Sequence, residues 1–359
     1  KNALPKHSLS ILPSVGESSA SNGLSMGFAS FIAIAGMVWW SSWYPGAEPG
    51  GGGYIAQRMF STKNEKHSFM ATFFFQFAHY GIRPWPWIIV ALCSIVLYPD
   101  LGVDDKKLGF VMAMKEFLPS GMRGLLLVAF LGAYMSTVST HLNWGASYVI
   151  NDVWNPKKDA NHKIITISRW VTFGIMILAL GLTTQVKSIS GVWEFIMECG
   201  AGLGLLLMAR WFWFRINAWA EIVATVTPFI VYGLLKFVFI HDYPVLGESL
   251  SSNPTSFFIT VGTTTCCWII ISLITKPDSQ EHLKKFKGKI YPQGFDNFKK
   301  TMPHLFLAWL GGVITVYSFL FMIGKVIFQE WEESGLFLVS MTLGILLFYR
   351  SASKGKLLN

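Results

Sequence analysis

The chain has 359 residues, 52% apolar and only 14% charged, with a mean hydropathy of +0.44 and a net charge of +9. Soluble domains carry about 25% charge, so this composition argues against an ordinary soluble domain and points to a membrane protein. The positive charge does not imply nucleic acid as a partner, because the lysines and arginines sit in connections between apolar runs, where they act as a topology signal.

The opening KNALPK has no initiating Met and no apolar run behind a positive head, so it does not read as a signal peptide. It reads as part of a longer chain. A bilayer core asks for about 20 apolar helical residues. In chain order nine stretches meet that need: 24–44, 67–98, 121–150, 164–186, 189–213, 218–240, 254–275, 303–327 and 333–349. Backbone groups in hydrocarbon must bond within their own segment, and these runs lack strict alternation, so helices are expected. The expected fold is all-α, a polytopic membrane protein with about nine transmembrane helices in one domain over 1–359. Residues 102–118 read as a short amphipathic helix on the surface. Cys93, Cys199, Cys266 and Cys267 all lie in apolar stretches without metal-ligand spacing and read as small buried hydrophobes.

Charge alternates along the connections. Arg58, Lys63 and Lys66 follow the first stretch, and Lys157, Lys158 and Lys163 follow the third. Arg210 and Arg215 come next, then seven lysines within 276–302, then Arg350, Lys354 and Lys356. The intervening connections are together poorer in lysine and arginine and hold acids: Asp100, Asp104, Asp105, Asp242, Glu248, Glu330, Glu332 and Glu333. Positive charge marks the cytoplasmic side, so 276–302 is expected to be a cytoplasmic basic loop. The start of the sequence is then expected outside the cell membrane and its end inside.

The first stretch runs into WYPGAEPGGGGYIAQRMF at 43–60, whose prolines and glycines a helix cannot easily traverse. Two readings stand: a break in a helix at membrane depth, or a cytoplasmic turn after a complete span. The second stretch is too long. About 30 residues make a helix of about 45 Å against a core of about 30 Å. RPWPW at 83–87 supplies two prolines for a kink, favoured because the apolar run continues to Leu97, while its tryptophans alternatively read as an interfacial belt. His79 and Arg83 lie four apart on one face of this stretch. They read either as a structural pair or as the polar wall of a solute cavity. In the fifth stretch Glu198 is a candidate for pairing with Arg83 or for ion or solute binding, while Glu194, nearer the outer mouth, reads as structural.

The third stretch is the richest in polar groups. Ser136, Thr140, Asn143, Ser147 and Asn151 form one stripe down a helix, and Ala133, Ser136 and Thr137 cluster at i, i+3, i+4. Two hydroxyls and a carbonyl offer a hard cation oxygen ligands without fixed charge. The competing reading is that these side chains bond back to i−4 carbonyls or let helices pack closely. GAGLG at 200–204 is a weak dinucleotide-motif match, and inside an apolar stretch it reads as small-residue helix packing.

GGGGYIAQRMFSTKNEKH together with AYMSTVSTHLNWGASYVINDVW resembles the sodium:solute symporter family, which includes sodium/glucose, sodium/proline and sodium/pantothenate carriers. The resemblance implies part of a leucine-transporter-type inverted-repeat fold, with broken helices crossing at the midplane. It implies Na+ as coupling ion, held by the Ala133 carbonyl and the Ser136 and Thr137 hydroxyls. His79 falls where sugar carriers place a substrate-touching lysine, and Trp43 and Tyr44 match an aromatic inner gate. About five earlier helices of the family are absent from this sequence. They would supply the remaining sodium oxygens and much of the solute pocket, so N-terminal helices of the same chain are expected partners. The expected function is sodium-coupled uptake of a small organic solute by alternating access across the lipid bilayer, without enzyme chemistry. The alternative is a symporter-like sensor module of a signalling protein, for which the nine residues after Arg350 give no support.

Overall fold

The computed structural model describes residues 4, 14–15, 25–41, 58–154, 161–184, 186, 189–238, 244–245, 248–250, 252–291 and 294–355. In chain order the helices begin with α1 (Phe28–Ser41), then α2 (Glu65–Gln76), a π-wound segment Phe77–Ile82, and α3 (Trp85–Leu97). They continue with α4 (Gly109–Phe117), α5 (Ser120–Tyr148), α6 (Asn161–Thr183), α7 (Ile189–Cys199) and α8 (Leu203–Ala209). The last five are α9 (Ala218–Gly233), α10 (Thr255–Ile274), α11 (Gln280–Ile290), α12 (Phe295–Ile327) and α13 (Trp331–Lys354). Two pairs of two-residue strands accompany them.

Among the described residues, seven helices are long and apolar enough to cross a membrane. They account for seven of the nine apolar stretches. The first stretch shows the shorter helix α1, and residues 42–57, with the Pro-Gly run, Trp43, Tyr44 and Glu48, lie outside the described residues. The fifth stretch corrects the expectation of one continuous helix. It is broken between Cys199 and Leu203, at the glycine run read as helix packing. Gly202 adopts φ +89, which a side chain strongly disfavours. A Cβ there would also lie 2.7 Å from Thr264 Cβ.

The overlong second stretch departs from α-geometry where its prolines require it. Pro84 and Pro86 have no N–H to give, and each ring crowds the carbonyl four residues back. The helix responds by widening over Phe77–Ile82, where the Arg83 N–H reaches back to the Ala78 carbonyl at 3.1 Å. Within 102–118 a 3-10 segment, Val103–Leu108, leads into α4.

The chain divides into two compact units, Lys1–Leu97 with Glu194–Asn359, and Tyr98–Trp193. In the first unit α12 and α13 form an antiparallel hairpin. Leu305 meets Gly355, Gly311 meets Phe348, and Ser318 donates to Ser340 at 2.9 Å. The segment α2–α3 runs alongside α12. Phe73 stacks on Phe348 at 4.1 Å, Phe77 on Phe319 at 4.2 Å, and the Trp85 indole N–H donates to the Leu320 carbonyl at 3.1 Å. A second antiparallel pair, α9 and α10, is clamped at one end. There Arg215 donates to the Ser272 and Leu273 carbonyls at 3.1 and 2.6 Å, and Asn217 donates to the Lys276 carbonyl at 2.9 Å. The short helix α8 packs on α9 and α10, with Leu206, Ala220, Ala224 and Trp268 in a small buried cluster. In the second unit α5 packs on α6, and the Ile175 side chain fills the space beside Gly145.

Lipid tails give helices little hydrophobic reason to associate, so close backbone approach and dispersion contacts matter more. The α12–α13 hairpin shows this at Gly311, where a Cβ would sit 2.5 Å from the Phe348 nitrogen, and at Gly344, where it would meet the Thr315 nitrogen at 2.9 Å. Gly311→Val is therefore expected to force the backbones apart at a cost of about 3 kcal/mol or more, since backbone atoms cannot swing away. A thermal melt in detergent checks it. Gly335→Ala, which meets no neighbouring atom within 4 Å, is the matched control with little effect.

Candidate functional site

Three groups of polar residues lie in or beside apolar helices. The first is on α5. A 29-residue helix without Pro brings Ala133, Ser136 and Thr137 to one face, and all three are exposed. The Thr137 hydroxyl donates to the Ala133 carbonyl at 3.0 Å, and Thr140 donates to the Ser136 carbonyl at 2.8 Å. These are the local back-bonds that Thr makes in apolar helices. They leave the Thr137 hydroxyl free to accept, because a donating hydroxyl still accepts twice, whereas the Ala133 carbonyl receives both that hydroxyl and the helical N–H of Thr137. The face toward α6 is a different one, marked by the buried Ala146 and Ile150 and by Gly145. The Ala133–Thr137 cluster therefore points away from α5's packing partner in its own unit.

The second group is the predicted His79–Arg83 pair, and the structure brings its members together. Arg83 Nη1 lies 2.8 Å from His79 Nδ1, so it donates to an unprotonated ring nitrogen. The guanidinium also sits over the Trp87 ring at 4.9 Å, and the His79 ring stacks on Phe75 at 4.9 Å. Arg83 is exposed on the helix surface. A nearby apolar cavity of about 910 Å³, between α2–α3 and α12, is lined by Phe69, Phe73, Gln76, Tyr80 and Trp309 among others, and not by His79 or Arg83.

The third group surrounds the break between α7 and α8. Glu198 is fully buried in the last turn of α7. Its Oε1 accepts from the Ser256 hydroxyl at 2.6 Å and lies 3.9 Å from Lys236 Nζ. Its Oε2 has no hydrogen-bond partner among the described residues. Beside it the Gly202 N–H donates to the Ser41 carbonyl at 2.8 Å, so the end of α1 is tied to the break. Pairing of Glu198 with Arg83, one of the sequence alternatives, is replaced by pairing with Lys236 and Ser256. The physical reason is placement. Arg83 rests on α2–α3, while Lys236 and Ser256 flank the break from α9's π-wound end and the start of α10.

Sequence reasoning passed over Lys236, Ser256 and Ser41. A usable signal existed for Lys236, because a lysine inside an apolar stretch asks for a partner, and Glu198 was a buried carboxylate in need of one. Ser256 and Ser41 carry no such signal, being ordinary small residues of apolar helices.

A profile of the sodium:solute symporter family matches residues 32–225. The chain is 24% identical over 224 residues to the osmoregulated proline transporter of Bacillus subtilis, covering 56% of this chain and 42% of that protein. It is 23% identical over 212 residues to sodium/glucose cotransporter 4 of Danio rerio, covering 53% of this chain and 30% of that protein. Against the sodium/glucose cotransporter of Vibrio parahaemolyticus it is 23% identical over 172 residues, covering 45% and 31% respectively. The chain thus spans less than half the length of each of these relatives. No solved structure matches it.

Proposed function

The chain belongs to the sodium:solute symporter family, a family of transporters and not of enzymes, and is a multi-pass membrane protein; from that premise we propose that it works in sodium-coupled uptake of a small organic solute. The observation that carries this reading is the exposed oxygen cluster on α5: the Ala133 carbonyl with the Ser136 and Thr137 hydroxyls on one face. The donor set suits a hard monovalent cation that must be held and then released, because its oxygens carry no fixed charge. Three oxygens leave the coordination shell incomplete, and helices of the same protein outside this sequence would complete it. In this reading sodium bridges α5 to such a helix, favours the outward-open state and lowers the cost of solute entry. The wider architecture would be part of a leucine-transporter-type inverted repeat, with a solute site near the midplane.

His79 and Arg83 are the proposed polar contacts to solute and Trp43 and Tyr44 the proposed aromatic gate, while Glu198, fully buried on Ser256 and Lys236, has a structural role in this reading. The basic connections would face the cytoplasm, placing the end of the sequence inside. Replacing sodium by choline at fixed pH tests the coupling in proteoliposomes of the full-length protein. Uptake is expected to collapse; uptake that persists under choline and follows the pH gradient overturns sodium coupling. Arg83→Gln is expected to change the order of preference across a panel of labelled sugars, amino acids and carboxylates. An unaltered order would reassign Arg83 to scaffolding on Trp87.

A further inference from the structure

We propose that the basic end of the first unit, centred on α11, is a docking surface for anionic lipid headgroups. The segment 276–302 carries seven lysines against three acids. It joins α10, whose apolar run ends at Ile274, to α12, whose apolar run follows Lys299 and Lys300. Both ends of the segment are thus held where two helices leave the apolar region. The segment is pinned there by side chains. The Tyr291 hydroxyl donates to the Trp211 carbonyl, Phe214 packs edge-on against Phe295 at 5.2 Å, and Lys287 lies over the Phe214 ring at 4.0 Å.

Helix α11 is two-faced. Leu283, Phe286, Lys287 and Ile290, spaced i, i+3, i+4, i+7, turn inward, while Lys284, Lys285 and Lys289 are exposed. Lys276, Lys299 and Lys300 extend the exposed charge on either side. Other basic residues converge on the same end. Phe69, Ala308 and Ala352 pack together and Gly355 meets Leu305, which brings the start of α2, with Lys63 and Lys66, and the end of α13, with Arg350 and Lys354, beside the N-terminal half of α12. The opposite end of the hairpin is acidic, and there Lys325 is engaged by Glu330 and Glu333.

The chemistry of this surface selects the occupant. Between 276 and 301 no large hydrophobic residue is exposed among the described residues, whereas Ile274 and Met302 at its borders are. A protein partner needs an apolar or aromatic anchor at the centre of its interface, and here the aromatic side chains are turned inward. A membrane leaflet needs none, only lysines near its surface, and clusters of four to eight such residues beside a span are the pattern that holds anionic headgroups. The inference stands apart from the transport reading, since it uses none of the proposed sodium or solute residues.

The test uses the full-length protein in mixed micelles, titrated with pyrene-labelled phosphatidylglycerol or phosphatidylcholine and read by energy transfer from tryptophan. Wild type is expected to prefer phosphatidylglycerol, and the triple variant Lys284→Gln/Lys285→Gln/Lys289→Gln to lose that preference on the order of a hundredfold, about fivefold per lysine. The triple Lys→Arg variant retains the preference, which separates charge from folding. Equal binding of the two lipids by wild type, or an unchanged preference in the Gln variant, overturns the proposal. Displacement of the lipid by millimolar inorganic phosphate also overturns it, as the mark of a general anion site. So does loss of the preference after nuclease treatment, as the mark of bound nucleic acid.

Discussion

Ser136→Ala or Thr137→Ala in the full-length protein is expected to raise the sodium concentration for half-maximal uptake about tenfold or more. An oxygen that faces a cation directly contributes on the order of 1.5–3 kcal/mol, and 1.4 kcal/mol is a factor of ten. The maximal rate should change less than the half-saturating sodium, because the loss falls on ion binding. Thr137→Ser keeps the hydroxyl and is expected to behave close to wild type. Thr140→Ala is the informative control. Thr140 lies one turn along the same helix and bonds back to the Ser136 carbonyl at 2.8 Å, so it shares the helix environment without belonging to the proposed ligand set. If Ser136→Ala and Thr137→Ala both leave sodium dependence unaltered, these oxygens are ordinary back-bonding groups of a membrane helix, and the proposed ion site fails.

Lys236→Met is expected to destabilise the protein by about 1–3 kcal/mol, less than the full cost of breaking a buried ion pair, because Lys236 is partly exposed and 3.9 Å from Glu198. Glu198 is fully buried, and its remaining neighbour would be the Ser256 hydroxyl at 2.6 Å on Oε1 alone. Glu198→Gln is expected to cost less, because an amide can still accept from Ser256 and no isolated carboxylate remains. Combining Lys236→Met with Glu198→Gln should recover most of the loss, since the double variant buries no unpaired charge. Thermal melts of the three variants in one detergent measure this. A Lys236→Met variant as stable as wild type would mean that the 3.9 Å approach contributes nothing. A double variant no better than the single would assign Lys236 to packing, where it lies over the Tyr232 ring at 5.8 Å.

Much of the architecture was legible in the sequence because it follows from composition over long windows. An uninterrupted apolar run has one solution in lipid, a helix that bonds to itself, and seven of the nine stretches show it. The distortion near Pro84 was legible for the same reason: proline changes local geometry whatever surrounds it. The i, i+4 meeting of His79 and Arg83 also needed only helical periodicity. The α5 stripe was legible as a pattern, but the pattern alone left two readings of its hydroxyls.

The break at 199–203 was not legible, although its glycines were in plain view. A glycine in an apolar run serves equally for close helix packing or for a left-handed turn. Gly202 takes the turn in a fold that sets Thr264 against its Cα and offers the Ser41 carbonyl to its N–H. The sequence by itself determined that the chain builds helices for a membrane, because long apolar runs without strand alternation leave a self-bonded helix as the way to satisfy the backbone in hydrocarbon. Only the tertiary structure decided where one of those helices stops, which lysine meets Glu198, and that the basic connections of the first unit gather at one end. Those outcomes depend on which distant residues arrive beside one another, and no local spacing encodes that.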